Sequence, residues 1–152
     1  MAELTIYRVT KAVYASTAFR GSRGRGRWHE QGIRMVYAAD HPATALLETM
    51  VHVDRASLLS ISYVAIPITL DDEAHLVRLR DDDRPSDWRM WPWPESTQRI
   101  GTAWFESQVS VALEVPSAAL PLQRNYLINP LHPQFEELGI GEPVVLDPDA
   151  RL

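Results

Sequence analysis

Two long stretches of this chain cannot form helix or strand, and they confine regular structure to the segments around them. Residues 20–33 carry Gly21, Gly24, Gly26 and Gly32, more glycine than an element tolerates. Residues 81–95 hold Asp81, Asp82 and Asp83, then Trp88, Trp91 and Trp93 interleaved with Pro85, Pro92 and Pro94. Proline removes backbone donors and blocks helical geometry, so this stretch reads as an ordered loop packed on its tryptophans. Strand patterns fall at residues 4–9, 35–39, 74–79, 110–115, 126–128 and 144–146, and at 60–70, where Pro67 demands an edge or a bulge. Helical patterns fall after a cap at Asp40 or His41 with Pro42 in the first turn, from Ser96 or Thr97 to about Ser107, and over 134–138, stopped by Gly139. Strands outnumber helices, so the expected class is α+β with a mixed sheet, and residues 1–152 are enough for one domain with its own core.

Composition removes several kinds of function. There is no cysteine, which excludes disulfides and thiolate chemistry. A hydrophobic content of 45% with 23% charged residues is that of a soluble globular protein. No apolar run approaches the ~18 residues that span a bilayer. The start, Met1 to Thr5, lacks the basic and apolar regions of a signal peptide, so a cytoplasmic protein is expected. A net charge of −5 counts against a dedicated nucleic-acid binder. Yet Arg20, Arg23, Arg25, Arg27 and Arg34 stand within residues 20–34 against one acid, Glu30. A local cationic loop on an acidic chain points to a small anionic ligand rather than a long polyanion.

Candidate site residues each carry two readings. In residues 21–28 the glycines let backbone N–H groups approach phosphate and the arginine forks grip its oxygens, or the segment is a solvated or RNA-binding loop. It fits neither a P-loop nor a dinucleotide fingerprint. In the helix after Asp40, Ala43, Leu46, Leu47, Met50 and Val51 make the expected buried stripe. Glu48 falls on its flank, either solvated or set at the rim of a site. Tyr37 is core or site, Arg8 is an odd charge on the face of Leu4 and Ile6, and Ser117 after Pro116 is a turn former or a ligand. The histidines show no metal-ligand spacing, and no serine-hydrolase motif occurs.

Order and spacing join these residues. Ile6-Tyr7-Arg8-Val9, Gly26-Arg27-Trp28, Tyr37, Ala45-Leu46-Leu47-Glu48, Val115-Pro116-Ser117 and the run from Asn125 to Pro133 together resemble the RES-domain family, named for an arginine, a glutamate and a serine. The likeness runs from about residue 5 to residue 147. It implies a compact α+β domain related to the ADP-ribosyltransferase fold. It also implies a toxin of a RES–Xre toxin–antitoxin pair that consumes NAD⁺ by breaking the nicotinamide–ribose bond and so inhibits growth. By that resemblance Arg27, Glu48 and Ser117 are catalytic, while Arg8, Gly26, Arg27, Tyr37 and Ser117 form the NAD⁺ pocket. Ser107 and Ser110 stand near enough in sequence to compete for the serine role. No metal is implied. The implied partner is an Xre-like antitoxin, and nucleic acid is met only through it. His29 replaces an asparagine usual in the family, and Arg25 a glycine. Water, phosphate or a protein side chain as attacking group gives a glycohydrolase, a phosphorylase or an ADP-ribosyltransferase. A non-enzymatic RNA- or partner-binding module is a further reading.

Overall fold

The structure is a computed structural model that describes residues 2–21 and 23–152; Met1 of the N-terminal reading and Ser22 of the glycine–arginine stretch lie outside the described residues. The strands are β1 (Glu3–Lys11), β2 (Val36–Ala39), β3 (Tyr63–Asp71), β4 (Leu76–Arg78), β5 (Ala112–Pro116), β6 (Arg124–Ile128), β7 (Gly139–Ile140) and β8 (Val144–Leu146). The helices are α1 (Pro42–Met50), α2 (Arg55–Ser60) and α3 (Glu95–Ser107). One mixed sheet runs β4-β5-β6-β2-β1-β3-β7, with β8 also paired to β3, and the class is α+β as expected.

Neighbouring strands are antiparallel except β4 and β5, which are parallel. A parallel pair needs a long crossover, and this one comprises the tryptophan loop and α3. The crossover places both on one face of the sheet. There Trp28, Met35, Trp104, Leu113, Val115 and Leu127 form one apolar cluster. Residues of alternate parity, among them Ile6, Val36, Ile68, Ala112 and Ile128, form a second cluster on the opposite face. Pro67 is placed where its missing N–H costs nothing. Its carbonyl accepts from the Gly141 N–H, so its nitrogen points away from β1, into the gap between the stretches of β3 that pair with β8 and β7.

Several sequence expectations need correction. The stripe expected to bury α1 does not do so: Leu47, Met50 and Val51 are 36%, 38% and 65% exposed, while Thr44 is buried and Ala45 and Glu48 turn inward. Polar tethers set the rotation of this short helix. The Thr44 hydroxyl donates to Asp40, whose other oxygen accepts from the Arg124 N–H and the Gln123 amide. His41 is the N-cap residue but makes no side-chain cap. α3 begins one residue early, after Pro94. The segment at 133–137 is a 3-10 turn, and Gly139 opens β7. A 3-10 turn at Ala12–Thr17, α2 and β7 carry too little periodicity to read from sequence.

Candidate active site

The Gly26-Arg27-Trp28 step is fixed from behind by α3. The Gln98 amide donates to the Gly26 carbonyl at 3.0 Å, and the Thr97 hydroxyl to the Arg27 carbonyl at 2.5 Å. Gly101 lets the helix press directly on the strand of loop beneath it: a Cβ there would stand 1.6 Å from the Trp28 carbonyl oxygen. Gly26 is equally constrained, because a Cβ would lie 2.7 Å from the His29 ring and 2.8 Å from the Tyr37 hydroxyl.

His29 explains the rigidity of Tyr37. It is buried, and its Nε2 lies 2.7 Å from the Gly24 carbonyl, so Nε2 carries the proton and donates. Nδ1 is then the acceptor, and the Tyr37 hydroxyl donates to it at 2.6 Å. The same hydroxyl accepts the Trp28 N–H at 3.1 Å. Burial, countered in part by the Gly24 contact, pulls the His29 imidazole below its ordinary value and keeps this arrangement neutral. Burial likewise pushes the Tyr37 phenol up.

The carboxylate of the site comes from α1. Glu48 Oε1 accepts from the Asn125 amide at 2.8 Å and from the Ser117 hydroxyl. Ser117 is fully buried, and its oxygen also accepts the Leu120 N–H. Among the described residues Glu48 Oε2 has no hydrogen-bond partner, and Glu48 lines a cavity of about 440 Å³. The other charged residues on that cavity are Arg8, Arg27 and Arg89. Arg27 Nη1 donates to the carbonyls of Trp88 and Met90 at 2.8 and 2.9 Å, which ties the tryptophan loop to the glycine loop. Partial burial lowers the Arg27 guanidinium, while nearby Glu48 raises it. Arg8 is partly buried with Nε on the Ala18 carbonyl and Nη1 on the Tyr37 carbonyl, so its donors brace backbone.

The cavity thus gathers Arg8, Gly26, Arg27, Tyr37 and Glu48, with Ser117 directly behind Glu48. Ser107, the last residue of α3, donates to the Trp104 carbonyl and Ser110 accepts from the Trp104 indole, neither reaching Glu48. The cationic-loop expectation is only partly realised, since Arg20, Arg23, Arg25 and Arg34 are exposed and do not line the cavity. Arg89, His52, Trp91 and Trp93 do line it; the sequence marked the tryptophans as loop packing and the histidines only for their lack of metal spacing, and assigned none of the four to the pocket. The available signal was an arginine embedded between tryptophans in a segment that had to be ordered. Asn125 stands out in the sequence only as part of the run from Asn125 to Pro133. Among the described residues no three His, Asp or Glu side chains are grouped to hold a metal, and no helix is long and apolar enough to cross a membrane.

Fold and site define a small α+β domain whose cleft combines one tethered carboxylate with several guanidinium groups. The chain belongs to the RES domain family, which matches residues 5–148. It is 34% identical to "Toxin Res" of Yersinia enterocolitica over 153 aligned residues, covering 98% of this chain and 99% of that protein. It is 37% identical to the "Prs ADP-ribosylating toxin" of a Sphingobium species, over 71% of this chain and 68% of that one. In fold it resembles a chain of the crystal structure of the M. tuberculosis MbcT–MbcA toxin–antitoxin complex, with a TM-score of 0.74 at 20% identity, over 95% of this chain and 85% of that one.

Proposed function

We propose that this protein is the toxin of a toxin–antitoxin pair and that it cleaves the nicotinamide–ribose bond of NAD⁺. The observation that carries the reading is the Glu48 carboxylate, fixed through Oε1 by Ser117 and Asn125 and free at Oε2, on a cavity otherwise charged by arginines. NAD⁺ has the matching polarity, with a cationic nicotinamide ring and an anionic pyrophosphate. The names of the relatives support the toxin role and a reaction that begins from NAD⁺.

The chemistry follows from that polarity. As the bond between ribose C1′ and the nicotinamide nitrogen breaks, its electron pair leaves with nicotinamide, which becomes neutral. Positive charge moves onto the ribose as an oxocarbenium-like centre. Glu48 Oε2 stabilises that charge, and its fixed partner atoms mean that no reorganisation is needed as the charge develops. The attacking oxygen then bonds to C1′, and for water the proton lost goes to solvent or to Glu48. Tyr37, its hydroxyl held by His29 and Trp28, offers a rigid ring against the reacting sugar or base. Arg27 has donors beyond the one committed to the loop, and these reach for phosphate. Ser117 is a positioning residue for Glu48 in this scheme, in place of a contact to ribose or Arg27.

Water or phosphate as attacking group is the first reading. Transfer of ADP-ribose to a host protein is the second, favoured by the name of the Sphingobium relative. The partner is an Xre-like antitoxin that blocks the cleft in the cytoplasm, with an acidic group against Arg27. Inducing the chain alone in bacteria while following growth and NAD⁺ together tests the reading. Arrest preceded by falling NAD⁺ supports cleavage to free products. Arrest at normal NAD⁺ with a host protein gaining ADP-ribose mass replaces it with the second reading. Soluble protein that causes neither arrest nor NAD⁺ loss refutes both.

A further inference from the structure

The cleft has a gradient of depth. Gly26, Trp28, Ala38 and Ala39 on its walls are buried, and Tyr37 and Glu48 are partly so. The mouth is formed by exposed side chains of the tryptophan loop, Arg89 and the 62%-exposed Trp91, with His52 one turn beyond Glu48 on the other side. His52 and Trp91 rings stand 5.6 Å apart, and Trp91 meets Trp93 edge-on at 5.2 Å. Arg89 is aimed by its own contacts, its Nε donating to the Ala118 carbonyl at 2.7 Å and its Nη2 to the Ala119 carbonyl at 3.5 Å, which leaves Nη1 uncommitted. No carboxylate pairs with Arg89 or Arg27 among the described residues, and Glu48 is the single acid on the cavity. The loop is itself locked to the floor, because Arg27 grips the carbonyls on both sides of Arg89.

The geometry points to residues 88–93 as the recognition wall for the half of the substrate that lies away from the bond being broken: Arg89 holds a diphosphate, and the exposed face of Trp91 stacks on the purine base. This rests on the NAD⁺ reading, which puts the reacting ribose at Glu48 on the floor and so sends the rest of a dinucleotide outward to the mouth. Guanidinium forks suit paired phosphate oxygens, and an exposed indole gives a flat partner for a base. Both Arg8 and Arg89 spend two donor nitrogens on backbone carbonyls, but Arg89 is exposed at the mouth with Nη1 uncommitted, whereas Arg8 is partly buried.

The test is calorimetric titration of ADP, which carries the diphosphate and the purine but no nicotinamide, into the wild-type protein and into Arg89→Ala, Trp91→Ala and Trp91→Phe. Melting curves accompany each titration, and both side chains are exposed enough for the variants to fold. Arg89→Ala and Trp91→Ala weaken ADP binding tenfold or more, and Trp91→Phe restores most of it by keeping a ring. Wild-type protein that does not bind ADP at millimolar concentration, or alanine variants that bind it as the wild type does, overturn the assignment. Nicotinamide release from NAD⁺ is measured on the same samples. Its absence from the wild type rejects the cleavage reading, whereas release together with an unmoved ADP affinity rejects this inference alone.

Discussion

Replacing Gly101 by alanine separates local propensity from tertiary packing, because the two predict opposite signs. In an isolated helix alanine is more favourable than glycine by about 1 kcal/mol. In this protein the new Cβ would stand 1.6 Å from the Trp28 carbonyl oxygen and 2.6 Å from its carbon, so α3 and the Arg27–Trp28 backbone must part by well over an ångström. That parting breaks or stretches the Thr97 bond to Arg27, the Gln98 bond to Gly26 and the Trp28 bond to Tyr37. At about 1 kcal/mol each these bonds cost about 3 kcal/mol, and overpacking adds about 1–3 kcal/mol. After subtracting the propensity gain, the variant is about 3–5 kcal/mol less stable. For a chain of this size each kcal/mol lowers Tm by about 2–4 °C, so a fall of about 6–20 °C is expected in calorimetry. Turnover of NAD⁺ falls as well, since Arg27 is displaced. A variant as stable as the wild type, or more stable, would refute the claim that α3 fixes this loop by direct backbone contact.

Three other outcomes follow from the site. Ser117→Ala removes a buried donor to Glu48 and an acceptor for Leu120, costing about 2 kcal/mol in urea unfolding and lowering kcat more than it raises KM; a change in KM alone would contradict the positioning role. Arg27→Ala weakens NAD⁺ binding by about 2–4 kcal/mol and loosens the loop at Trp88 and Met90, seen as faster amide exchange there; unchanged affinity would move phosphate binding to other residues. His29 is lowered in the folded state, so the unfolded chain binds the extra proton, and its contribution to stability is full above about pH 6.5 and is lost as pH falls through that value toward the folded pKa. His29→Gln should flatten this part of the stability–pH curve, and an identical curve in the variant would show that another group produces it.

Much of the fold could be read in the sequence because strong local signals coincided with their tertiary use. Alternation in β1 and Pro42 at the head of α1 needed no help from distant residues. The face of α1 could not be read, because the tethers that rotate it, Asp40, Gln123 and Asn125, are two short polar stretches apart in sequence and meet only in the sheet. Glu48 was visible as a misfit at a recognisable spacing, but its partners, Ser117 just after β5 and Asn125 on β6, lie 69 and 77 residues away. Arg89 and Trp91 were hidden for a different reason. A proline-broken loop has no period, so nothing local tells which side chains face inward, and only the parallel β4–β5 crossover decides where the loop lies. The arginines of residues 20–34 misled in the opposite direction, since charge density in a loop says nothing about orientation and only Arg27 turned to the cavity.

The central claim is that Glu48 acts on the nicotinamide–ribose bond of a bound NAD⁺. Its most direct measurement is free nicotinamide released from NAD⁺ by the purified protein and by Glu48→Gln, quantified by mass alongside NAD⁺ affinity by calorimetry. Glutamine preserves the shape and can still meet the Ser117 and Asn125 donors through its oxygen, but it cannot offer the negative charge. The account predicts steady nicotinamide release by the wild type and a loss of at least about a hundredfold in the variant, with NAD⁺ still bound. Release by Glu48→Gln at the wild-type rate, or none by the wild type under any acceptor, would contradict it.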